Sequence, residues 1–451
     1  MKKLPTKFLL RTTAFILGFS KIYKARLLSP KFLPQETNPE NLIHIYRHAK
    51  QNISYYQKNL PEIKEEPINF IKAFHNLKFN LAKQILKEDI YQLMDPAVIK
   101  HTPVVQYKNN PIKSFLQILT SDALIPVNTG GSTGSPLNFF KTKEIGLKML
   151  TTLLQIANFH GWKEGEPILS VFQEGMYSPL GFLNKIMGLI GAPLFFFRQI
   201  DTNAAKKFIQ TLNKINPSVV FAFPSYLSEL VAKIKIDDYK VEKKPKFVLC
   251  AGEMLFDHQR KLIEDFFGCK VYQFYGTMEI GFVALECSRQ HGLHILEEYV
   301  FLENDENNNI IATPLDMYYM PLIKFNTGDR GVITVEKCRC GIYGKVIRTP
   351  EGRIEEYLLN AQEEKVYASY LRQLILEINE KFGNAILRAQ FIQKKNKDLK
   401  FSLQLLSRER ENDLVITIKN KLEKDLGIKT YERIEETLFQ EKGKFKFLIR
   451  E

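Results

Sequence analysis

SVVFAFPSYLSELVAKIKIDDYKVEKKPKFVLCAGEMLFDHQRKLIEDFFGCKVYQFY, residues 218–275, is the stretch that decides the fold. Short apolar runs alternate in it with segments of helical periodicity. Strands are predicted at 218–223, 247–251 and 271–275, and helices at 226–235 and 257–267. Asp257 is the expected N-cap of the second helix and Gly268 its expected end. This alternation predicts βαβ units around a mostly parallel sheet, whose ligands bind at the carboxyl ends of the strands.

The same alternation extends upstream, and a different texture follows downstream. Upstream, strands are predicted at 167–172 and 193–197, and helices at 180–190 and 204–215. Beyond about residue 350, charged and mixed segments at 387–406 and 413–426 predict a small α+β unit with a β-hairpin and helices. We therefore expect an α/β protein in three parts: a basic amphipathic segment (1–40), a large N-terminal domain with mostly parallel sheets (41–352) and a small C-terminal domain (353–451).

Size and composition describe a multidomain globular protein. The 451 residues exceed the roughly 250–300 at which a single core stops growing, so two or three domains are expected. A content of 45% hydrophobic and 25% charged residues excludes global disorder and collagen-like repeats. No stretch reaches about 18 uncharged apolar residues, so a membrane-spanning helix is not expected. The five cysteines, an odd number, favour a reducing, cytoplasmic location over a disulfide framework.

Half of the net charge of +14 comes from residues 1–30, which hold seven basic side chains and no acidic one. Phe15, Phe19 and Ile22 repeat there at helical spacing and make the segment amphipathic. Arg11 interrupts the apolar run, so a signal peptide is a poor fit and no export is expected. The residues leave open a helix packed on the domain or peripheral contact with an anionic inner membrane surface. Nucleic acid is not an expected partner, because no binding motif accompanies the charge.

Residues 128–136, NTGGSTGSP, form a loop rich in glycine and hydroxyl side chains. Its backbone N–H groups and hydroxyls can surround phosphate oxygens. It is not a Walker loop, because the lysine followed by serine or threonine is missing at the expected place. Taken alone, the loop is equally well an ordinary glycine-rich turn.

Two further segments carry carboxylates beside turns. YGTMEIG, residues 275–281, follows a predicted strand, and Glu279 within it could hold a hard cation such as Mg²⁺. In FNTGDRG, residues 325–331, Asp329 could accept both hydroxyls of a ribose. Considered separately, the first segment favours a solvated glutamate on a loop, and the second is equally consistent with a common turn.

Two shorter segments complete the pattern: GRIEE at 352–356 and KGKF at 442–445, which alone read as a charged linker and a basic tail. Together, in this order and at these separations, the five segments resemble the adenylate-forming (AMP-producing) ligase superfamily. The resemblance is closest to its branch of phenylacetate-CoA ligase-like, coenzyme-F synthetase-like and capsule-biosynthesis proteins. It covers about residues 40–451, and it implies a large α/β N-terminal domain followed by a small mobile C-terminal domain.

The resemblance also implies an ATP site. Ser132, Thr133 and Gly134 look like the loop that closes on the β- and γ-phosphates. Gly252 and Glu253 look like part of the turn that packs on adenine.

Other residues of that site follow from the segments at 275–281 and 325–331. By resemblance, Tyr275 stacks on the adenine ring, with Gly276 and Thr277 in the same nucleotide-binding turn. Glu279 matches the Mg²⁺ ligand, and Asp329 matches the ribose-binding aspartate.

Three residues near the small domain complete the implied machinery. Arg353 resembles the arginine that opens the hinge and contacts the nucleotide, and Glu355 sits where the family keeps a charged hinge residue. Lys444 resembles the lysine that bridges the carboxylate and the α-phosphate during adenylation. Attack of a carboxylate on the α-phosphorus brings two anions together, so positive charge from Mg²⁺ and one lysine fits this chemistry.

The implied activity is ATP-dependent activation of a carboxylic acid as an acyl-adenylate, with release of pyrophosphate and transfer to a thiol such as coenzyme A. Apolar and aromatic candidates for the acyl pocket, Tyr226 and Phe274 among them, favour an aromatic or aliphatic acid. The residues leave open an amine or hydroxyl acceptor on a metabolite or glycan, and an inactive scaffold of the same fold.

Three positions depart from the family pattern. Met278 stands where a hydroxyl is expected, with Thr277 one position early. Asn326 replaces the usual arginine before Thr-Gly-Asp, and Ser135 stands where a lysine is common. Each change removes a polar or charged group from the neighbourhood of the nucleotide.

A cysteine and histidine pattern predicts a structural zinc site. Cys338 and Cys340 supply two sulfurs within one turn, and Cys287 with His291 or His294 precedes them. Four nitrogen and sulfur ligands are the number a closed zinc site needs, and we take His291 as the fourth ligand. Several phenylacetate-CoA ligase-like proteins carry a comparable arrangement. The alternative is a set of free thiols with both histidines in loops.

Overall fold

The computed structural model describes residues 38–65, 67–104, 123–128, 138–173, 194–236, 239, 241–353, 357–383, 385–405, 409–428, 431–433 and 447–451. The chain divides into two compact units. The first comprises Met1–Gly165 and Tyr272–Pro350, and the second comprises Glu166–Val271 and Glu351–Glu451. The basic segment 1–30 and the predicted helix 180–190 lie outside the described residues. The domain boundaries at 40/41 and 352/353 stay predictions, as does membrane contact by the N-terminal segment.

The described helices are α1 (Pro39–Asn52), α2 (Ser54–Asn59), α3 (Pro67–His75), α4 (Lys83–Glu88), α5 (Pro96–His101), α6 (Lys143–Phe159), α7 (Thr202–Ile215), α8 (Pro224–Ile236), α9 (Asp257–Phe267), α10 (Ala368–Phe382) and α11 (Glu411–Leu426), with a 3₁₀ turn at Ile90–Leu93. Within the described part of the chain, no helix combines the length and the apolar character that crossing a membrane requires.

The described strands of the first half are β1 (Leu124–Asn128), β2 (Asn138–Thr142), β3 (Ile168–Gln173), β4 (Leu194–Phe197), β5 (Val219–Ala222), β6 (Phe247–Cys250), β7 (Lys270–Thr277), β8 (Gly281–Glu286) and β9 (Leu293–Ile295). Those of the second half are β10 (Val300–Asn304), β11 (Asn309–Pro314), β12 (Phe325–Lys337), β13 (Tyr343–Arg353), β14 (Tyr357–Leu359), β15 (Lys365–Tyr367), β16 (Ile386–Gln393), β17 (Leu399–Leu405), β18 (Tyr431–Arg433) and β19 (Leu448–Arg450).

In the second unit, strands β6, β5, β3 and β4 form a parallel sheet in that order. All four residues of β5 and of β6 are buried, as expected for strands covered by helices on both faces. Helices α7, α8 and α9 pack with these strands in one hydrophobic core. The predicted alternation of strand and helix is therefore confirmed for the described residues.

The ends of α9 agree with the sequence at one terminus and differ at the other. Gly268 ends the helix in the left-handed region, with φ of 63°, as expected. The N-cap is Phe256 rather than Asp257, because the Gln259 side chain accepts the Phe256 backbone N–H at 3.2 Å. Asp257 instead lies in the first turn, where its charge complements the helix dipole.

The C-terminal part of the second unit is the predicted α+β element. Strands β16 and β17 form an antiparallel hairpin within the order β18-β17-β16-β19. Helices α10 and α11 share a separate core with this sheet. Asn379 on α10 exchanges two hydrogen bonds of 2.8 Å with the backbone of Ile386, which ties the helix to the first strand.

The first unit contains a largely antiparallel sheet in the order β10-β11-β12-β13-β9-β8-β7. Its strands follow one another through short turns such as 278–280 and 305–308, which permit antiparallel neighbours but no helical crossover. Parallel pairs of described strands lie instead in the second unit, where they join β3 to β4, β3 to β5, β5 to β6, β16 to β19 and β17 to β18. The small helices α1 and α3 pack on this unit through buried rings, with Tyr46 edge-on to Phe70 and Phe74 at 5.5 and 5.8 Å.

Candidate active site

The tight turn that joins β7 to β8 involves four residues singled out from the sequence: Gly276, Thr277, Met278 and Glu279. Gly276 permits the turn, because a Cβ there would lie 2.2 Å from the carbonyl oxygen of Gly281. Gly281 itself has φ of 80°, which favours glycine. The Ile280 N–H donates to the Thr277 hydroxyl at 3.4 Å and closes the turn. Glu279 is thereby held at the carboxyl end of β7.

Tyr275 on β7 meets Asp329 on β12, 54 positions away in sequence. The Tyr275 hydroxyl donates a hydrogen bond of 2.9 Å to Oδ2 of Asp329. Burial, with the Asp329 carboxylate as a further cause, raises the pKa of Tyr275 well above its ordinary value, so the phenol keeps its proton. The structure therefore brings together the two residues expected to contact adenine and ribose.

The turn that bears Asp329 is built from its own side chains. Gly328 has φ of 79°, and its N–H donates to Oδ1 of Asn326 at 2.9 Å. The Thr327 hydroxyl donates to the Ile310 carbonyl at 2.9 Å and accepts the Asp329 N–H at 3.2 Å. Asn326 thus stabilises the turn in place of the positive charge that the resemblance expects at this position.

Glu279 is 3% exposed and forms an ion pair of 2.6 Å with Lys83 on α4. Burial alone would raise the pKa of the Glu279 carboxyl, but Lys83 and the Thr277 hydroxyl outweigh it and hold the pKa below its usual value. Glu279 is therefore ionised at neutral pH. Thr277 stands one position early in the motif, and its hydroxyl hydrogen-bonds to the Glu279 carboxylate. Met278 packs against the core of the first unit.

Backbone pairing with β12 places Lys83. The Leu81 N–H donates to the Lys324 carbonyl at 2.9 Å, and the Asn326 N–H donates to the Leu81 carbonyl at 3.0 Å. Lys324 is buried, and its ammonium pairs with Glu303 at 2.8 Å. The start of α4 is thus fastened to the strand that carries Asp329.

Sequence reasoning did not identify Lys83 or Lys141, which both lie near Glu279. Lys141 on β2 is 5% exposed, and burial lowers the pKa of its ammonium to about 8 despite the opposing effect of Glu279. Residues around Lys83 look like an ordinary charged helix, so the sequence carries no signal there. For Lys141 the signal was a lysine directly after two phenylalanines, five residues beyond the Gly/Ser/Thr loop 128–136.

Gly252 and Glu253 lie in the second unit, directly after β6. Gly252 has φ of 83°, and a Cβ there would overlap the ring of Phe223, so only glycine fits. Glu253 accepts a long hydrogen bond of 3.4 Å from the Ser225 N–H in the first turn of α8. These contacts give the turn a defined shape at the carboxyl edge of the parallel sheet.

Several predicted site residues lie outside the described part of the chain: Ser132, Thr133, Gly134, Glu355 and Lys444. Arg353 ends β13, and only its backbone is described. The roles of these residues stay predictions.

Three cysteines and one histidine form a second cluster, in the first unit. The ligand atoms of Cys287, His294, Cys338 and Cys340 all lie within 4.8 Å of one another. Sγ of Cys287 is 3.8 Å from Sγ of Cys338, and Sγ of Cys340 is 3.5 Å from Nε2 of His294. The cluster holds His294, which corrects our choice of His291, an exposed residue outside it.

Local structure explains how the cluster forms and why a cation suits it. Cys338 and Cys340 lie in the turn between β12 and β13, where the Gly341 N–H donates to the Cys338 carbonyl at 2.9 Å. Cys287 follows β8 and His294 lies on β9, so adjacent strands deliver all four groups. Burial raises the pKa of the Cys287 thiol to about 12. Three sulfurs and one imidazole are a donor set that fits tetrahedral zinc, whose charge would offset this burial.

Comparison with known proteins addresses the fold. No family model matches the chain. The phenylacetate-coenzyme A ligase of Thermus thermophilus is 24% identical over 187 residues, which cover 38% of this chain and 42% of that protein. The chain thus matches about two fifths of this curated relative's length.

Solved structures align over nearly the whole chain. A 2-hydroxyisobutyryl-CoA ligase in the postadenylation state, in complex with R3-HIB-AMP, superposes with a TM-score of 0.65 at 16% identity, covering 92% of this chain and 88% of that one. The same ligase with 2-HIB-AMP and CoA in the thioesterification state gives 0.55 at 16% identity, covering 91% and 88%. This chain has the adenylate-forming ligase fold. The predicted α/β fold class is confirmed, and these solved structures share the fold that the motif resemblance implied.

The chemistry of the described residues fits the binding of a nucleotide and a metal ion. Glu279 is an ionised carboxylate with an oxygen that a hard cation could share, so it fits a Mg²⁺ ligand. Lys83 now occupies that oxygen, and the cation would compete with it. Tyr275 and Asp329 offer a ring and a carboxylate at one point of the sheet, as a nucleoside requires.

Proposed function

We propose that this chain activates a carboxylic acid as an acyl-adenylate, releases pyrophosphate and passes the acyl group to a thiol such as coenzyme A. The hydrogen bond between Tyr275 and Asp329, on the sheet whose next turn holds the buried Glu279, carries this proposal. The curated relative is named a phenylacetate-coenzyme A ligase, and an aromatic or aliphatic acid is the substrate class we propose.

In the proposed reaction, Tyr275 and Asp329 bind the nucleoside of ATP. An ionised carboxylate has about four acceptor sites, so Asp329 can accept ribose hydroxyls while it accepts the Tyr275 hydroxyl. Since the Tyr275 phenol stays protonated, it orients Asp329 rather than repelling it. The adenosine is then held in one place while the α-phosphorus is attacked.

Charge at the phosphates comes from the groups around Glu279. Magnesium, when bound, would supply positive charge to the triphosphate, and Glu279 is the residue that would hold it. Lys83 keeps the Glu279 carboxylate ionised and oriented. Lys444, by resemblance, would neutralise the attacking carboxylate and the α-phosphate together.

The experiment that tests this function is acid-dependent exchange of radiolabelled pyrophosphate into ATP, over a panel of arylacetic, benzoic, fatty and amino acids without an acceptor. Exchange with any acid establishes adenylation and identifies the acyl class. A second step with coenzyme A, or with an amine, then identifies the acceptor. Absence of exchange across the panel, with no ATP binding by calorimetry, would contradict the proposal.

Asp329→Asn should raise the KM for ATP in this exchange by roughly tenfold to a hundredfold, because an amide loses the charge-assisted bonds to ribose. It should also reduce the preference for ATP over 2′-deoxy-ATP. The matched control is Asp265→Asn, which removes a carboxylate exposed on α9 and should leave KM unchanged. An unchanged KM in Asp329→Asn would remove this residue from nucleotide binding.

We also propose that Cys287, His294, Cys338 and Cys340 bind one structural zinc ion. The buried donor set and the short distances between its atoms support this. The ion would join β8, β9 and the turn between β12 and β13, and Asp329 lies on β12. Its proposed role is stability, because all four ligands come from the protein and leave no open position for a substrate.

A further inference from the structure

Lys141 is a buried cation that no described carboxylate pairs with directly. It is 5% exposed on β2, in the run Asn138–Thr142. Among the described residues, it forms no ion pair with a carboxylate. Its ammonium donates to Sδ of Met149, a weak acceptor, and lies 5.8 Å from the centre of the Phe139 ring. Burial of a lysine in this way lowers the stability of the folded chain, unless a bound anion offsets the free energy lost on desolvation of the ammonium.

The neighbouring groups indicate which ligand would do so. The charge of Glu279 favours the ionised form of the Lys141 ammonium, and Lys83 already pairs with that carboxylate at 2.6 Å. The three side chains together carry one net positive charge. Two buried or half-buried ammonium groups that share the influence of one carboxylate leave positive charge for an anion. Lys141 also follows the Gly/Ser/Thr loop 128–136 by five residues.

We infer that Lys141 binds a phosphoryl oxygen of the pyrophosphate portion of ATP and holds the pyrophosphate as it leaves. This inference rests on the proposed function. By resemblance, positive charges are expected where this chain has Ser135 and Asn326; in this inference Lys83 on α4 and Lys141 on β2 supply positive charge instead. The chain would keep the electrostatic requirement of the reaction while changing the residues that meet it.

Lys141→Met tests this inference, because methionine fills a similar volume beside Met149 without a charge. The expected result is an affinity for inorganic pyrophosphate lower by about 10- to 100-fold by calorimetry, as for loss of one hydrogen bond to a charged group. The affinity for adenosine should not change. The melting temperature should rise by roughly 2 °C, since an uncompensated buried charge is removed.

Lys148→Met is the matched control on the adjoining helix. Lys148 is paired with Glu144 at 3.0 Å and Asp316 at 3.2 Å, so its removal should not affect pyrophosphate and should not raise the melting temperature. Unchanged pyrophosphate affinity in Lys141→Met would overturn the inference. So would a lower affinity for the activated acid with pyrophosphate unaffected, because Lys141 would then face the acyl group.

The two proposals fail separately. Pyrophosphate binding is measured without an acid and without turnover, so it tests Lys141 even if no acid in the panel supports exchange. Conversely, exchange in the wild type at a rate that Lys141→Met matches would retain the proposed function and exclude the role of Lys141.

Discussion

Lys444→Ala is expected to lower the rate of acid-dependent pyrophosphate exchange by about a hundredfold to a thousandfold. Loss of one preorganised group that stabilises transition-state charge has an effect of this size. The physical reason is that the carboxylate and the α-phosphate are both anions, and adenylation requires a cation between them. Transfer of the acyl group from a chemically prepared acyl-adenylate should be retained, because that step no longer brings two anions together. Exchange and transfer are therefore measured on the same preparation.

Lys442→Ala and Lys446→Ala are the matched controls, since each removes one positive charge within two residues of Lys444. Neither should lower the rate of exchange as Lys444→Ala does, because the resemblance gives neither residue a role at the phosphates. Equal losses in all three variants would show that the segment contributes only general positive potential. A normal rate in Lys444→Ala would remove Lys444 from the mechanism.

The double variant Cys338→Ser and Cys340→Ser is expected to lose its zinc, as measured by elemental analysis. Its free energy of unfolding should fall by about 3 kcal/mol or more. The two thiolates are the ligands that the turn between β12 and β13 supplies, and without them the ion no longer joins this turn to Cys287 and His294. Removal of the metal from the wild type with a chelator should lower the melting temperature in the same way.

Two histidine variants sharpen this test. His294→Ala should lose zinc, because its Nε2 lies 3.5 Å from Sγ of Cys340, whereas His291→Ala should retain it. Cys269→Ser, which changes a thiol outside the cluster, is the control for loss of a sulfur as such. A wild type purified without metal, and unable to take up zinc, would end the zinc proposal.

The strand and helix pattern was readable because each element is decided largely by its own neighbours. The runs that became β3, β5 and β6 are short, apolar and bounded by helices of clear periodicity, so local preference and burial agree. The prediction of Asp257 as the N-cap of α9 was wrong. The decisive contact is made by the side chain of Gln259, three residues after Phe256, which accepts the Phe256 N–H. The N-cap preference of a single residue type does not predict such a contact, because it depends on a second side chain three positions away.

The candidate site was readable in part, for a related reason. Tyr275, Glu279 and Asp329 stand beside glycines in turns after strands, and such turns mark positions where side chains gather at a sheet edge. Lys83 and Lys141 carry no such mark, because each is a lysine within an ordinary element. Only the ion pair of Lys83 with Glu279, and the burial of Lys141 under the influence of the same carboxylate, give these lysines a role.

By itself, the sequence determined the α/β class and the alternation of strands and helices around the parallel strands, and it marked the segments that we propose for the nucleotide site. All of these depend on local periodicity and on turns. The tertiary structure decided what depends on contacts between distant positions. It selected His294 over His291 in the cysteine cluster, it joined Tyr275 to Asp329, and it paired Glu279 with Lys83. The reason is that charge and coordination act over a few ångströms of space, and sequence separation does not report that distance.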